Sequence, residues 1–441
     1  MNTDASTGAL RAHTSIIEDP KFSFSDLVKW AGHSGMIHSS PSLTIAARGV
    51  ARTVAMTAGL GSLNTSTAGA EMELQHKSAV PDPVLNVLKS IETVDPVSTY
   101  GSGPIAIGAI PFNPSSPISL VVPEVVIGLQ DNGLAWHTTV GTADSSLTSD
   151  SQPDVFSIDE VLTASPPDEF RLVAMPSHEQ WLRMVEHALG YINKGEVDKL
   201  VLSRRVLVET NRPICRVEVI QRLRSLYPSC TIFNIDGFLG ASPELLVRRT
   251  GYDVVSQPLA GTIAHSGDPM TDKRMAAELF SSPKERAEHD MAARAVAKSM
   301  DGICESLSVP SQPSLISLRN VSHLATEIRG KLLPQQDVPS VLQLASRLHP
   351  TPAVSGSPSI DALELISRLE NYDRGHYAGP VGWMDKNGDG EFVLGIRSAQ
   401  VKRDRAELFA GVGLVANSDP SAELMETQLK LQALLSAIVR P

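Results

Sequence analysis

Two short stretches of this sequence set paired carboxylates where chemistry could use them. In SSPKERAEHD, Ser282 can cap a helix, Pro283 suits its first position, and Glu285 and Glu288 stand three apart. NSDPSAELMETQLK repeats the pattern, with Asp419 and Pro420 opening a helix and Glu423 and Glu426 three apart. Residues i and i+3 share a helix face, so each pair projects two carboxylates from a first turn whose dipole favours negative charge. A capping box explains Ser282 with Glu285 equally well, since acidic first turns are common. If the two helices converge, the carboxylates repel one another, and a hard divalent cation such as Mg²⁺ would relieve the repulsion. His289, beside Glu288, fits either a supporting partner or a packed histidine.

The elements that must position these groups are partly legible. HEQWLRMVEHALGYINKGEV has apolar residues at helical spacing and ends at Gly195. DKLVLSRRVLVE then alternates as a strand, with Leu200, Leu202, Val206 and Val208 on one face and Lys199, Val201 and Ser203 on the other. Further strands are expected in CTIFNIDG, FLGASPELLVRRT, YDVVSQPLAGT, GPVGWMD, EFVLGIRSAQVKR and AELFAGVGLV. Helices are expected over 283–301, 358–370 and 420–438. Strands in turn-linked groups, with helices apart from them, indicate antiparallel sheet in a mixed α/β fold. Residues 1–18 read as a loose arm, and 61–70 and 141–154 as polar loops.

Composition narrows the function. A chain of 441 residues, 42% apolar and 20% charged, can bury a large core; length alone suggests two or three domains. A net charge of -11 without a basic stripe argues against nucleic acid and anionic membrane as partners. No apolar run approaches the roughly 18 to 20 residues that span a bilayer, and the N-terminus lacks a signal core, so a cytoplasmic location is expected. Cys215, Cys230 and Cys304 lack metal-ligand spacing and read as reduced structural thiols.

Two apparent motifs carry no weight. DKNGDGE resembles the start of a calcium loop, but the position that should hold a bidentate Glu is Ile396, so a polar hairpin turn is expected. GVGLVA imitates a dinucleotide fingerprint without its βαβ setting.

DKLVLSRR, FLGASPELLVR, QPLAGT, SPKERAEHD, VSHLATEIRGKL, LHPTPAVSG, RGHYAGPVGW, GDGEFVLGIRSA, LFAGVGLV and SDPSAELMETQLK occur together and in this order. The set closely resembles the chorismate-utilising enzymes, which include isochorismate, salicylate, anthranilate and aminodeoxychorismate synthases. The likeness is carried by residues 175–440. It implies one domain over 19–441: an α+β fold of two related halves, in which two antiparallel sheets stack face to face with helices outside and a cleft between.

Roles follow from the resemblance. Lys199 matches the general base that activates water, although a Lys opening a strand is commonly just a solvated end. A base at neutral pH needs burial or a cationic neighbour, and alternation puts Arg205 on the face of Lys199. Glu244 matches the general acid that protonates the departing C4 hydroxyl, which requires a raised pKa. Glu288 and Glu426 match direct Mg²⁺ ligands, and Glu285 and Glu423 match outer acidic residues acting through water. Arg397, with backbone N–H groups around Ala410, Gly411 and Gly413, matches the cradle of the enolpyruvyl carboxylate. Gly261, Thr262, His323, Ala353 and Tyr377 match further substrate-lining positions, a structural role remaining open for His323.

Residue identities then divide the family. Lys199 and Ala260 argue for water rather than ammonia as nucleophile, hence for a chain needing no amidotransferase partner and expected to be a monomer. Ala353, where salicylate synthases carry Thr, together with Val354 and Tyr377, implies a reaction that stops at isochorismate. The alternatives are a salicylate synthase and a non-catalytic chorismate-binding subunit.

Overall fold

The computed structural model describes residues 8–18, 20–56, 82–142, 166–334 and 338–439. Among these residues the strands form three sheets of 13, 9 and 3 strands. The 13-stranded and nine-stranded sheets face each other across a dry layer: Ile45, Trp136 and Phe233 of the first meet Ile107, Val381 and Trp383 of the second. Helices Phe24–Ala31, His178–Asn193, Arg216–Leu226 and Pro420–Val439 cover the larger sheet, and Val341–Leu348 packs on the smaller. The expected stacked sheets and outer helices are therefore present.

The third sheet was not expected, and a proline accounts for it. The antiparallel ladder that pairs Asp253–Gln257 with Ile328–Leu332 belongs to the nine-stranded sheet. Its chain continues as Leu259–Ala264 paired with Val321–Ala325, now in the three-stranded sheet. Pro258 stands between the two ladders and offers no N–H to carry the first one on. Ser314–Ser317 completes the small sheet.

The N-terminal reading needs correction. Leu10–Ile16, placed within a loose arm, is a strand antiparallel to Ala135–Thr142 and parallel to Glu92–Val94, with Leu10 and Ala12 buried. Its alternation is short and mixed with Arg11, His13 and Ser15, so the sequence signal is weak. Residues 1–7, 61–70 and 143–154 lie outside the described residues. The helix Pro269–Ser281, capped by Asp268, also went unread; the three cysteines are free thiols, as expected.

The DKNGDGE segment is the expected hairpin turn, joining Pro380–Asp385 to Gly390–Leu394. Asp385 Oδ1 accepts from the backbone N–H of Asn387 at 2.8 Å and of Asp389 at 3.0 Å.

Candidate active site

A cleft of about 940 Å³, its open mouth included, is lined by every residue to which the resemblance gives a catalytic, metal or substrate role: Lys199, Glu244, Gly261, Thr262, Glu285, Glu288, His323, Ala353, Tyr377, Arg397, Ala410, Gly411, Gly413, Glu423 and Glu426. Two of its walls form where the chain changes sheet. Pro243 and Glu244 link Phe238–Ser242 of the large sheet to Leu245–Thr250 of the nine-stranded one. Residues 395–397 make the reverse crossing, from Gly390–Leu394 to Ser398–Lys402. Arg397 takes φ +52 there, a left-handed conformation costly for a non-glycine residue and characteristic of functional sites.

Crossing between sheets buries Glu244, which is 4% exposed. Loss of solvation pushes its carboxyl up to about 8, against smaller opposing pulls from the Leu259 N–H and the charges of Lys199 and Lys430. A carboxyl in this range is largely protonated at neutral pH.

Lys199 begins the strand Lys199–Thr210 and is 2% exposed. Antiparallel pairing of that strand with Arg405–Leu414 aligns Val201 with Gly413 and Ser203 with Gly411. A Cβ added at Gly413 would lie 2.8 Å from Lys199 Cε, so glycine there leaves room for the lysine. The nearest charge is Glu288, 3.6 Å from Nζ. Arg205 is not the cationic neighbour expected: six residues along a strand is about 20 Å. Its guanidinium instead binds Glu407 at 2.6 Å and lies over Tyr372.

Both acidic helices start as read. Ser282 Oγ accepts from Glu285 N, and Asp419 Oδ1 accepts from Ala422 N. The capping-box explanation of Glu285 fails, because its carboxylate accepts from Thr262 N of the adjoining strand at 3.3 Å instead of returning to its own N-cap. Burial and the charge of Glu288 raise its pKa; burial and Glu426 raise that of Glu423 to about 7. Glu426 of the second helix adds to the rise at Glu285, so the helices do converge and their carboxylates repel. Lys430 Nζ lies 2.7 Å from Glu426, and Lys284 Nζ lies 3.9 Å from Glu423. Neither lysine was singled out, although Lys430 sits one helical turn beyond Glu426 and its position was readable.

As arranged, no three His, Cys, Asp or Glu side chains among the described residues are grouped as a metal cage. That does not conflict with Mg²⁺, which keeps several waters and takes one or two protein carboxylates plus substrate oxygens. The donor set fits: hard oxygens, mutually repelling, beside an open cleft. His289 is a packed histidine, fully buried, paired with Thr326 Oγ1 at 2.6 Å and driven by burial to about 4.

In the same cleft, His323 Nε2 stands 2.9 Å from Arg397 Nη2, while Nδ1 lies 3.1 Å from Gly261 O. Arg397 donates, so Nε2 accepts, and Nδ1–H donates to the carbonyl. Burial, then the charge of Arg397, hold the ring neutral. Arg397 Nη1 is buried without a protein partner, which suits an anion in the cleft. Tyr377 stacks on Phe409 with ring centres 5.1 Å apart.

A mixed fold of two stacked sheets whose cleft joins a buried lysine, a neutral-leaning carboxyl, an acidic helix pair and an anion-seeking arginine defines a class of enzymes acting on small polyanionic substrates. The chain belongs to the chorismate binding enzyme family, whose family model matches residues 50–439. It is 38% identical over 350 residues to isochorismate synthase DhbC of Bacillus subtilis (strain 168), covering 76% of this chain and 81% of the relative. Isochorismate synthase EntC of Escherichia coli (strain K12) is 35% identical over 338 residues, again 76% and 81%. The structure of MenF, the menaquinone-specific isochorismate synthase from Escherichia coli, shares the fold with a TM-score of 0.79 at 22% identity, over 98% of this chain and 95% of that one.

Proposed function

We propose that the protein is an isochorismate synthase, a hydroxymutase that adds water at C2 of chorismate and expels the C4 hydroxyl. The observation that carries this reading is the placement of two buried groups in one cleft: Glu244, its carboxyl raised to about 8, and Lys199, 2% exposed beside Gly413. Lys199 would take the proton from the attacking water, and Glu244 would give its proton to the departing hydroxyl, which leaves as water; the turnover ends with Lys199 protonated and Glu244 ionised, and proton exchange with solvent resets the pair.

Arg397 would fork onto the enolpyruvyl carboxylate with the backbone N–H groups near Ala410, Gly411 and Gly413. Glu288 and Glu426 would hold Mg²⁺, with Glu285 and Glu423 reaching it through water. When bound, the ion supplies positive charge for the ring carboxylate and fixes its orientation. Tyr377, Ala353, Thr262 and His323 would shape the remaining walls. Similar proteins are named for vibriobactin, for salicylate biosynthesis and for menaquinone, and the product would serve any of these routes. Among the described residues no helix is long and apolar enough to cross a membrane; we place the enzyme in the cytoplasm, as a monomer without an amidotransferase.

Chromatography of products formed from chorismate and Mg²⁺ tests the assignment. Isochorismate is expected as the main early product. Salicylate with pyruvate would favour the lyase reading, and chorismate binding without turnover would favour a silent subunit. Lys199→Ala is expected to lower kcat by about 10²–10⁴-fold, the usual contribution of a positioned base.

A further inference from the structure

At the wall of the cleft, which Arg374 helps to line, lies a buried ion pair that none of the steps above uses. Helix Ser359–Glu370 ends at Asn371, whose left-handed φ of 52° turns the chain back so that Arg374 meets Glu370. Arg374 donates Nε–H to Glu370 Oε2 at 2.9 Å and Nη2–H to Oε1 at 2.6 Å. The two side chains are 2% and 0% exposed. The other donors of the guanidinium reach backbone: Nη2 to Val201 O at 2.7 Å and Nη1 to Val354 O at 2.9 Å. Glu370 Oε1 also accepts from Ser203 N at 2.6 Å, and Tyr372 Oη donates to Ser203 O at 2.7 Å.

These bonds join two segments that carry the cleft's reacting side. Val201 and Ser203 belong to the strand that opens with Lys199, and Val354 follows Ala353. Ladder bonds already zip the segments together, Val201 N to Ser355 O at 2.8 Å and Asp198 N to Ser357 O at 2.7 Å. Arg374 adds a rigid fork that spans both.

Stability alone is a poor account of the pair. Desolvating two charges costs much of what their attraction returns, and apolar replacements of equal volume are often as stable. What an apolar pair could not do is hold a carbonyl of each segment and an amide of the strand in one fixed geometry. We propose that Arg374 and Glu370 are positioning residues of the active site, fixing the Lys199 strand against the Ala353–Val354 wall. The proposal rests on the synthase reading for its kinetic consequence and not for its structural one.

Glu370→Gln and Arg374→Lys test it in the full chain. A displacement near 1 Å costs up to about 10²-fold in rate, so Glu370→Gln is expected to lower kcat by about 10–100-fold. The chorismate KM should stay within about threefold, because Arg397 anchors substrate from another element. Arg374→Lys, which keeps the charge and loses the fork, should show the same split. A crystal structure of Glu370→Gln should show the Lys199 strand shifted against residues 353–355, whatever substrate the enzyme uses. An unshifted strand with kcat unchanged would overturn the proposal. So would failure of both variants to fold, or a loss of activity accounted for by the unfolded fraction, since either makes the pair scaffold only. A parent protein inert to chorismate would fail the functional reading and leave the crystallographic comparison to judge the clamp.

Discussion

Glu244→Gln isolates the group whose environment departs furthest from solution among those assigned a role in the reaction. Its carboxyl rises from an ordinary 4.5 to about 8 through burial. At about 1.4 kcal/mol per pH unit, that difference corresponds to about 5 kcal/mol of preference for the neutral form. At pH 7 such an acid is about nine-tenths protonated, whereas an ordinary glutamic acid is protonated in about 0.3% of molecules. The kcat/KM of the parent enzyme should therefore hold below pH 7 as far as this acid is concerned and descend with a midpoint near 8. Glu244→Gln should lose about 10²–10⁴-fold in kcat and that descending limb with it.

Stability offers a second readout with opposite sign. A carboxyl that binds its proton more tightly when folded makes the native state less stable as pH rises from about 4.5 to about 8, where the unfolded chain has already released the proton. Glutamine removes that cost, so urea denaturation should find Glu244→Gln more stable than the parent at pH 8 and little different at pH 4.5. A variant that retains the limb near pH 8, or is less stable than the parent at pH 8, would refute the reasoning.

Other consequences follow from the same geometry. Gly413→Ala brings a methyl to 2.8 Å from Lys199 Cε; because a flexible side chain can yield, melting temperature should change little while kcat falls by about 10²-fold. An unaffected kcat would detach Gly413 from the lysine. Glu288→Gln and Glu426→Gln should each weaken Mg²⁺ binding at least about tenfold by calorimetry, and chelation of the parent enzyme's metal should stop turnover reversibly. Equal affinity in both variants would place the metal elsewhere. Ala353→Thr, which introduces a hydroxyl at the wall facing the substrate, should raise the ratio of salicylate to isochorismate; an unchanged ratio would remove residue 353 as the determinant.

Much of the site was legible because its groups announce themselves locally. Proline after a capping residue fixed both acidic helix starts, and residues Glu285/Glu288 and Glu423/Glu426 could be paired by spacing alone. Lys199 was placed by strand alternation, and ordered motifs supplied Glu244 and Arg397. What stayed hidden depends on tertiary contact. Glu244 and Arg397 lie where strands pass between sheets, and no local pattern says that a Ser-Pro-Glu turn or a Gly-Ile-Arg turn will be a crossing. The same limit misdirected Arg205, since sharing a strand face says nothing of a 20 Å separation. Arg374 and Glu370 were passed over because their partners are backbone groups of residues far away in sequence. The third sheet could have been suspected from Pro258, which interrupts an otherwise continuous strand pattern.

The central claim is that water enters at one carbon and the hydroxyl of another, protonated by Glu244, leaves as water. Conversion of chorismate in H₂¹⁸O, followed by mass spectrometry of the isochorismate formed, tests it most directly. The account predicts one solvent oxygen in each product molecule, located in the C2 hydroxyl and absent from Lys199→Ala reactions run for the same time. Isochorismate that carries no label would mean that the hydroxyl migrates within the substrate, and would contradict the roles given to Lys199 and Glu244.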